Sequence, residues 1–279
     1  MVRAFATWAI TSKKLMPSTI KSYISSLKVL HDLRNVKCEN FHEDRSLKLL
    51  LKGAENTNVK RTPLRLAMNF HLLKVLCHRI AKTNWCEFSK QVIWTACNTS
   101  FFTSCRMGEL LPDNSKFYDK RKTLKWENIS FQDNKEILIF LPYTKTTGYK
   151  GAFIDIFPIA KCDYCPSAAL KRLYNMSVNL DVYSKSKPVF SFKSGKLLDT
   201  MTLNKILVSL LPDFCDEQGK ISCHSFRAAI PSAIASFPDK SKITEILEWG
   251  RWGSDAFKRY TRHERDRKKF LFEKIIQIL

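Results

Sequence analysis

Toward the end of the chain, residues 250–260 read GRWGSDAFKRY, and three shorter motifs precede this segment. Residues 103–111 read TSCRMGELL, residues 143–148 read YTKTTG, and residues 224–227 read HSFR. The first motif ends an apolar run that predicts a buried helix, and the second lies between two alternating segments that predict strands. The third places a histidine and an arginine three residues apart on one helical face. The four motifs therefore present cationic and aromatic groups in a fixed order.

Around these motifs, the pattern predicts a mainly helical chain with one small sheet. Residues 64–105 favour two or three helices, and helical periodicity resumes from residue 166 to the end, with a short break around 191–195. Between them, three alternating segments are separated by turn residues at 133–134 and 148–151, which predicts a three-stranded antiparallel sheet with strands at residues 123–129, 136–141 and 153–158.

The first part of the chain has its own helical pattern. Residues 1–12, a segment opening at Pro17, and residues 43–54 each carry apolar side chains at three- and four-residue intervals. A polar, basic stretch followed by Pro63 then marks a linker. We therefore predict a small helical domain over residues 1–58, a linker at 59–63, and a larger domain over 64–279.

The charge of the chain restricts its partners. It has 47 Lys and Arg against 26 Asp and Glu, a formal net charge of +21. Self-repulsion of that size opposes a compact fold, so an anionic partner is expected, with nucleic acid first and an anionic membrane second. No apolar run approaches the roughly 20 residues that span a bilayer, and the basic residues are spread over the whole chain. We expect nucleic acid and no membrane.

The nine cysteines favour an intracellular protein with reduced thiols. Cys162 and Cys165 have CxxC spacing, but a zinc site needs a second pair, and only the isolated Cys215 and Cys223 follow. We interpret the pair as small packing residues and expect no metal site. The beginning of the sequence shows neither a signal peptide nor a transit peptide.

The ordered set Arg…Lys…His-x-x-Arg…Trp…Tyr resembles the catalytic pattern of the tyrosine recombinases, the phage-integrase family. The match runs from about residue 61 to residue 262, and the preceding helices, especially residues 17–33, are similar to the core-binding domain of that family. The form of residues 250–260 looks closest to recombinases of eukaryotic mobile elements and related viruses. The resemblance implies the mainly helical fold of DNA breaking-rejoining enzymes, with a core-binding domain and a catalytic domain that carries the sheet.

Position by position, the resemblance implies two catalytic arginines, a hairpin lysine, a histidine, a tryptophan where other members have a second histidine, and a tyrosine nucleophile: Arg106, Arg227, Lys145, His224, Trp252 and Tyr260. Two guanidinium groups can bind the non-bridging oxygens of a phosphodiester, and more strongly as negative charge develops there. A tyrosine hydroxyl, with an ordinary pKa near 10, needs a strongly cationic pocket to act as a nucleophile.

Several assignments leave alternatives open. Glu109, three residues after Arg106, is expected to orient a catalytic Arg or His, but a local Arg–Glu surface pair explains it as well. Lys150 competes with Lys145 on the same hairpin. Pro231 falls seven residues after His224, where the family has a helix, and should kink or shorten that helix. The first domain is short and is expected to lack a helix or an arm-binding segment.

The predicted function is a site-specific DNA recombinase or integrase that acts through a 3′-phosphotyrosyl intermediate without metal or nucleotide cofactor. A type IB topoisomerase-like enzyme and a domesticated DNA-binding protein that no longer cuts are the alternatives. The expected partners are double-stranded DNA and further copies of the chain, as a homotetramer on two DNA sites with a dimer on each. A final apolar helix, residues 272–279, either docks into the neighbouring protomer or folds back. The expected location is intracellular, and nuclear for a eukaryotic element.

Overall fold

The computed structural model describes residues 1–36, 43–57, 64–215 and 219–235 of the chain. The chain divides into two compact units, Met1–Thr62 and Pro63–Leu279. The predicted linker at residues 59–63, the predicted site residues Trp252 and Tyr260, and the final apolar helix lie outside the described residues.

In its described part, the first unit contains three helices: α1 (Val2–Thr11), α2 (Pro17–Leu33) and α3 (Arg45–Thr57). Helix α2 begins at its proline because the fixed φ of proline suits the first helical turn, where its missing N–H is not needed. The helices bury a small set of apolar side chains against one another: Ala6, Ala9, Ile20, Ile24, Leu47 and Leu51. This agrees with the predicted helical pattern of the first part of the chain.

Only part of the apolar stripe on α2 is buried. Ile20 and Ile24 are almost fully covered, but Tyr23, Leu27 and Leu30 are 49%, 38% and 43% exposed. Periodicity therefore predicted the helix correctly, although it did not show which side chains of the stripe enter the core.

The second unit contains seven helices in its described part: α4 (Phe70–Ala81), α5 (Glu87–Thr103), α6 (Met107–Leu110), α7 (Pro166–Asn179), α8 (Thr200–Leu210), α9 (Cys223–Arg227) and α10 (Ala229–Ala235). Helix α5 is buried along most of its length, polar residues included. Buried amides must form hydrogen bonds, and Gln91 Nε2 donates to the Ala169 carbonyl at 3.0 Å while Asn98 Nδ2 donates to the Tyr164 carbonyl at 2.9 Å. These bonds fix α5 against α7 and the segment before it.

The described strands of this unit are β1 (Leu64–Arg65), β2 (Ile129–Phe131), β3 (Ile137–Leu141), β4 (Ala152–Ile156) and β5 (Gly219–Lys220). Strands β2, β3 and β4 form a three-stranded antiparallel sheet in that order. Ile137, Ile139 and Leu141 alternate as the buried side chains of β3, so one face of the sheet packs on the core. The predicted fold class, mainly helical with a small three-stranded antiparallel sheet, is confirmed.

The first predicted strand was placed too early. Residues 123–128 are not part of the sheet, because Trp126 begins a 3₁₀ turn, and β2 starts only at Ile129. The Trp126 ring packs edge-on against Tyr174 at 5.6 Å, and its backbone N–H donates to the Lys187 carbonyl at 3.1 Å. Pairing with a distant loop therefore replaced the local β pattern.

Two helix boundaries in this unit were addressed by the sequence, and one of them differs from the prediction. The helical break predicted around 191–195 is longer, since α7 ends at Asn179 and α8 begins at Thr200. The effect predicted for Pro231 is confirmed, because the helix is interrupted at Ala228, between α9 and α10. Proline has no N–H for the preceding turn, and its ring clashes with the carbonyl four residues earlier.

Strands β1 and β5 form a short parallel pair that local sequence patterns do not show. The Leu66 N–H donates to the Lys220 carbonyl at 3.2 Å, and the Met68 N–H donates to the Ser225 carbonyl at 3.0 Å. The pair holds the segment before α9 beside the beginning of α4. None of the helices in the described ranges has the length and apolar character needed to span a membrane.

Candidate functional site

A pocket of about 510 Å³ lies within the second unit, where α6, α8, β5 and α9 meet. Its lining combines cationic, polar and hydroxyl-bearing side chains: Arg106, Thr200, Asn204, Lys220, Ser222 and His224. Arg106 and His224 come from motifs that are far apart in the sequence. The fold therefore brings two of the predicted catalytic residues to one cavity.

Arg106 is held at the start of α6 by Glu109. The Glu109 carboxylate accepts hydrogen bonds from both the backbone N–H and the Nη1 of Arg106, each at 3.0 Å. The side chain of Glu109 is 4% exposed and that of Arg106 is 27% exposed. The pair is therefore not the surface ion pair considered from the sequence. A carboxylate bound at two points fixes both the backbone and the head of the arginine.

We expect Glu109→Gln to lower the free energy of unfolding by about 2 kcal/mol. Breaking a fully buried ion pair costs about 3–5 kcal/mol, and the loss is smaller here because Arg106 is partly exposed. Glu87→Gln is the matched control, because Glu87 also pairs at i,i+3, with Lys90, but is 80% exposed. Exposed pairs contribute at most about 1 kcal/mol. Urea unfolding of both variants measures the difference, and equal losses would contradict a structural contribution of the Glu109 carboxylate.

Arg227 is buried and bonded to the segment that carries Arg106. It is 1% exposed, and its Nη1 donates to the backbone carbonyl of Ser104. Ser104 ends α5 in a left-handed conformation, with φ 49°, which is uncommon for a residue other than glycine. A guanidinium at this carbonyl also complements the negative end of the helix dipole. Arg227 therefore connects α9 with the residues immediately before Arg106.

His224 lies in the first turn of α9, and three contacts fix the backbone there. The Ser222 hydroxyl accepts a hydrogen bond from the His224 N–H at 3.3 Å, and the Ser225 hydroxyl accepts one from the Ser222 N–H at 3.0 Å. Asn204, on α8, accepts from the Cys223 N–H through its side-chain oxygen at 2.8 Å. The imidazole, half-buried, is thereby placed at the pocket wall.

Cys223 lies beside His224 at the pocket, and a cysteine next to a histidine is also the arrangement of a cysteine nucleophile. Its burial raises the pKa of the thiol to about 12. The thiolate is the reactive form of cysteine, so Cys223 is a neutral thiol at neutral pH. The arrangement does not support a Cys–His hydrolase.

Lys145 lies on the tight turn between β3 and β4 and is exposed. Thr144 is buried at the base of this turn, and its hydroxyl accepts the Thr147 N–H at 3.0 Å and lies 2.6 Å from the Thr147 hydroxyl. The Thr147 hydroxyl donates to the Gly151 carbonyl at 2.8 Å. These hydrogen bonds connect the two sides of the turn, but Lys145 is not among the described residues that line the pocket.

A cluster of aromatic and charged side chains, unnoticed in the sequence, joins this hairpin to the loop before β2. The Tyr149 hydroxyl donates to Asp119 at 2.8 Å, and Arg121 donates to the same carboxylate at 3.0 Å. Lys122 Nζ lies 4.3 Å from the centre of the Tyr143 ring. Hydrogen bonds from Arg121 and Tyr149 hold the pKa of Asp119 well below its ordinary range. The hairpin is thereby tied to residues 119–122.

Within the described ranges, no group of three or more His, Cys, Asp or Glu side chains could hold a metal ion. Cys165 is buried, and its sulfur accepts the Ile159 N–H at 3.2 Å. Its backbone N–H donates to the Cys162 carbonyl at 3.1 Å. Cys165 thus packs beside Ile159, and the backbone hydrogen bond to Cys162 closes the turn before α7.

The four predicted site residues that the structure describes lie in three different surroundings. Arg106 and His224 line one pocket, Arg227 is buried and bonded beside Arg106, and Lys145 is exposed on its turn. Lys220 and Asn204 line the same pocket and were not predicted from the sequence. Lys220 lies four residues before His224, and this nearness to a motif could have identified it. Asn204 lies in no motif.

Comparison with solved structures places this fold in a known class. The chain is similar to the XerH site-specific recombinase bound to a palindromic difH substrate in a post-cleavage complex, with a TM-score of 0.64 and 16% identity over 97% of this chain and 71% of XerH. For the pre-cleavage XerH complex the TM-score is 0.60 at 16% identity, over 96% of this chain and 68% of XerH. For the XerA recombinase it is 0.50 at 14% identity, over 98% of this chain and 81% of XerA.

The fold is that of the tyrosine recombinases. Neither a family model nor a curated protein matches the chain by sequence. With identities of 14–16%, the likeness to XerH and XerA concerns the fold.

Proposed function

We propose that this protein is a site-specific DNA recombinase that cleaves and rejoins DNA strands through a 3′-phosphotyrosyl intermediate. The observation that carries the proposal is the meeting of Arg106 and His224 in one pocket of a recombinase fold. The XerH structures are complexes with a difH substrate before and after cleavage. The formal charge of +21 supports a DNA partner for this chain as well.

In the proposed reaction, the hydroxyl oxygen of Tyr260 attacks a DNA phosphorus and forms a phosphotyrosyl bond. The bond from phosphorus to the 5′ oxygen breaks, and Lys145 supplies the proton to that oxygen. His224 accepts the proton of the attacking hydroxyl and returns it when Tyr260 is released. If His224 instead donates to the phosphate, the proton of the hydroxyl passes to water. In the reverse step a 5′ hydroxyl attacks the phosphotyrosine and releases Tyr260.

The cationic side chains stabilise the charge that develops on the phosphate. Arg106 faces the pocket with its orientation set by Glu109, so little reorganisation is needed when charge develops. In this proposal, Arg227 supplies the second guanidinium and Trp252 an indole N–H and an apolar wall that excludes water. Exclusion of water matters because hydrolysis of the phosphotyrosine leaves a permanent break.

The resemblance to the tyrosine recombinases also implies roles for the first unit and for further copies of the chain. The first unit would act as the core-binding domain that clamps DNA, and the enzyme would work as a homotetramer on two DNA sites, with a dimer on each. It would serve a eukaryotic mobile element or a related virus, as an integrating or transposing enzyme, and act in the nucleus.

A nicked suicide substrate tests the function. The DNA carries the terminal sequences of the parent element, with a nick that lets a short fragment diffuse away so that religation fails. We expect an SDS-stable protein–DNA adduct in the presence of EDTA and without ATP, and light scattering of the complex with intact duplexes should give four protomers on two duplexes.

The other outcomes separate the alternatives. Relaxation of supercoiled plasmids that lack the element sequences would indicate a type IB topoisomerase-like enzyme. Gel shifts without any adduct would indicate a DNA-binding protein that no longer cuts. A strict requirement for magnesium would contradict the phosphotyrosyl mechanism.

A further inference from the structure

Lys220 is the second strong cation at the pocket that contains Arg106 and His224. Its side chain is exposed, whereas its neighbour Gly219 is buried, as expected for alternate faces of a strand. The resemblance that identified Lys145 assigns no role to Lys220. Lys220 lines the pocket, whereas Lys145 is not among the described residues that do so.

The backbone of Lys220 is fixed on both sides. Its carbonyl accepts the Leu66 N–H at 3.2 Å in the parallel pair with β1. The Leu66 side chain packs so closely on Gly219 that an added Cβ there would lie 2.8 Å from the Leu66 Cγ. Two residues later, Ser222 caps the helix that carries His224. The Cα of Lys220 is therefore held in a set relation to His224, and its flexible four-carbon side chain starts at the pocket wall.

The charge of Lys220 is available to a ligand. Among the residues that the structure describes, no carboxylate forms an ion pair with Lys220, whereas the carboxylate of Glu109 lies 3.0 Å from Arg106. A pocket with an arginine, a lysine and a histidine at its wall favours a compact anion, and a phosphodiester carries its negative charge on two non-bridging oxygens.

We propose that Lys220 binds a non-bridging oxygen of the DNA phosphate that enters this pocket, beside Arg106. The identity of the anion as DNA rests on the proposed function. Lysine places a single point charge on an oxygen, whereas Arg106 can bind two oxygens with its planar fork. Lys220 therefore adds charge neutralisation, and proton transfer to the leaving oxygen stays with another group.

The first test measures anion binding and needs no DNA cleavage. Inorganic phosphate is titrated into protein with labelled histidine rings, and the His224 signal, assigned by its loss in His224→Gln, reports the binding. Lys220→Ala should weaken the affinity for phosphate about tenfold, as expected for one charge-assisted hydrogen bond, and Lys220→Arg should retain most of it.

Lys205→Ala is the matched control. Lys205 is exposed on α8 next to Asn204 but does not line the pocket. Its replacement therefore removes one positive charge, as Lys220→Ala does, but leaves the lining of the pocket unchanged. We expect its phosphate affinity to stay within about twofold of wild type, since exposed charges outside a binding site are screened. Equal affinities for Lys220→Ala and Lys205→Ala would overturn the proposal.

The second test uses DNA that carries a methylphosphonate at the cleaved position, where one charged oxygen is replaced by a methyl group. On ordinary DNA, Lys220→Ala should cleave about tenfold more slowly than wild type. On the methylphosphonate the difference should largely disappear, because the charge that Lys220 binds is gone. An undiminished difference, or normal cleavage of ordinary DNA by Lys220→Ala, would overturn the proposal. If wild type forms no adduct at all, the proposed function fails, and the phosphate titration still decides whether Lys220 binds an anion.

Discussion

Replacement of Tyr260 by phenylalanine is expected to abolish the covalent protein–DNA adduct completely while the affinity for DNA stays within about twofold of wild type. The substitution removes only the hydroxyl oxygen that forms the bond to phosphorus. DNA affinity is spread over many basic side chains in a chain with 47 Lys and Arg, so one phenol contributes little to it. Electrophoresis in SDS after incubation with the suicide substrate measures the adduct, and gel shifts measure the affinity.

Tyr183→Phe is the control for the loss of a tyrosine hydroxyl. Tyr183 packs against Tyr174 with ring centres 5.1 Å apart, and this contact survives the substitution. The variant should form the adduct at the wild-type rate. Tryptic digestion and mass spectrometry of the wild-type adduct identify the modified residue among the eight tyrosines. An adduct in Tyr260→Phe, or a modified tyrosine at another position, would show that the nucleophile is misassigned.

Loss of either predicted catalytic arginine is expected to slow cleavage by about two to three orders of magnitude. Arg106→Ala removes the guanidinium that faces the pocket, and Arg227→Ala removes the one bonded to the Ser104 carbonyl. Each loss affects the transition state most, because the phosphate gains negative charge as the tyrosine adds. DNA affinity should change little. Single-turnover rates and gel shifts on the same substrate measure the two effects.

The two arginines need different controls, because Arg227 is buried and Arg106 is not. Arg227→Ala removes a hydrogen bond inside the fold, so thermal unfolding accompanies the rate measurement. Arg227→Lys keeps a positive charge and a donor for the Ser104 carbonyl but cannot bind two oxygens in one plane, and it should fold yet cleave at least tenfold more slowly. Arg172→Ala, on the exposed face of α7, controls for the loss of a surface arginine. Rates within tenfold of wild type in both alanine variants would rule out the assignment.

Local structure around the candidate site residues follows most directly from the sequence. The motif around Arg106 follows an apolar helix, and α5 ends at Thr103, just before it. The spacing of His224 and Arg227 predicted one helical turn, and α9 contains both. Helical periodicity and capping are short-range properties, so such positions follow from neighbouring residues alone. The hairpin of Lys145 was predicted for the same reason, from alternating segments on each side of a turn.

The errors came where distant segments compete with local pattern. Trp126 leaves the predicted strand because its ring packs against Tyr174 and its backbone bonds to Lys187. The role of Glu109 was ambiguous, because i,i+3 spacing predicts an ion pair but does not show whether it is exposed. Its side chain is 4% exposed. Burial depends on which elements pack over a residue, and that information is spread over the chain.

The sequence by itself determined the helical class and the three-stranded sheet, because periodicity and turn residues are local properties. The candidate catalytic groups came from the resemblance of four short motifs to the tyrosine recombinases, and they stay a prediction. Only the tertiary structure decided which of these groups meet. Arg106 and His224 share a pocket because the parallel pairing of β1 with β5 and the bond from Arg227 to Ser104 join segments distant in the chain. Lys220 enters the same pocket through this pairing, whereas Lys145 stays on an exposed turn. Such contacts depend on long-range backbone hydrogen bonds and on burial, which no local pattern specifies.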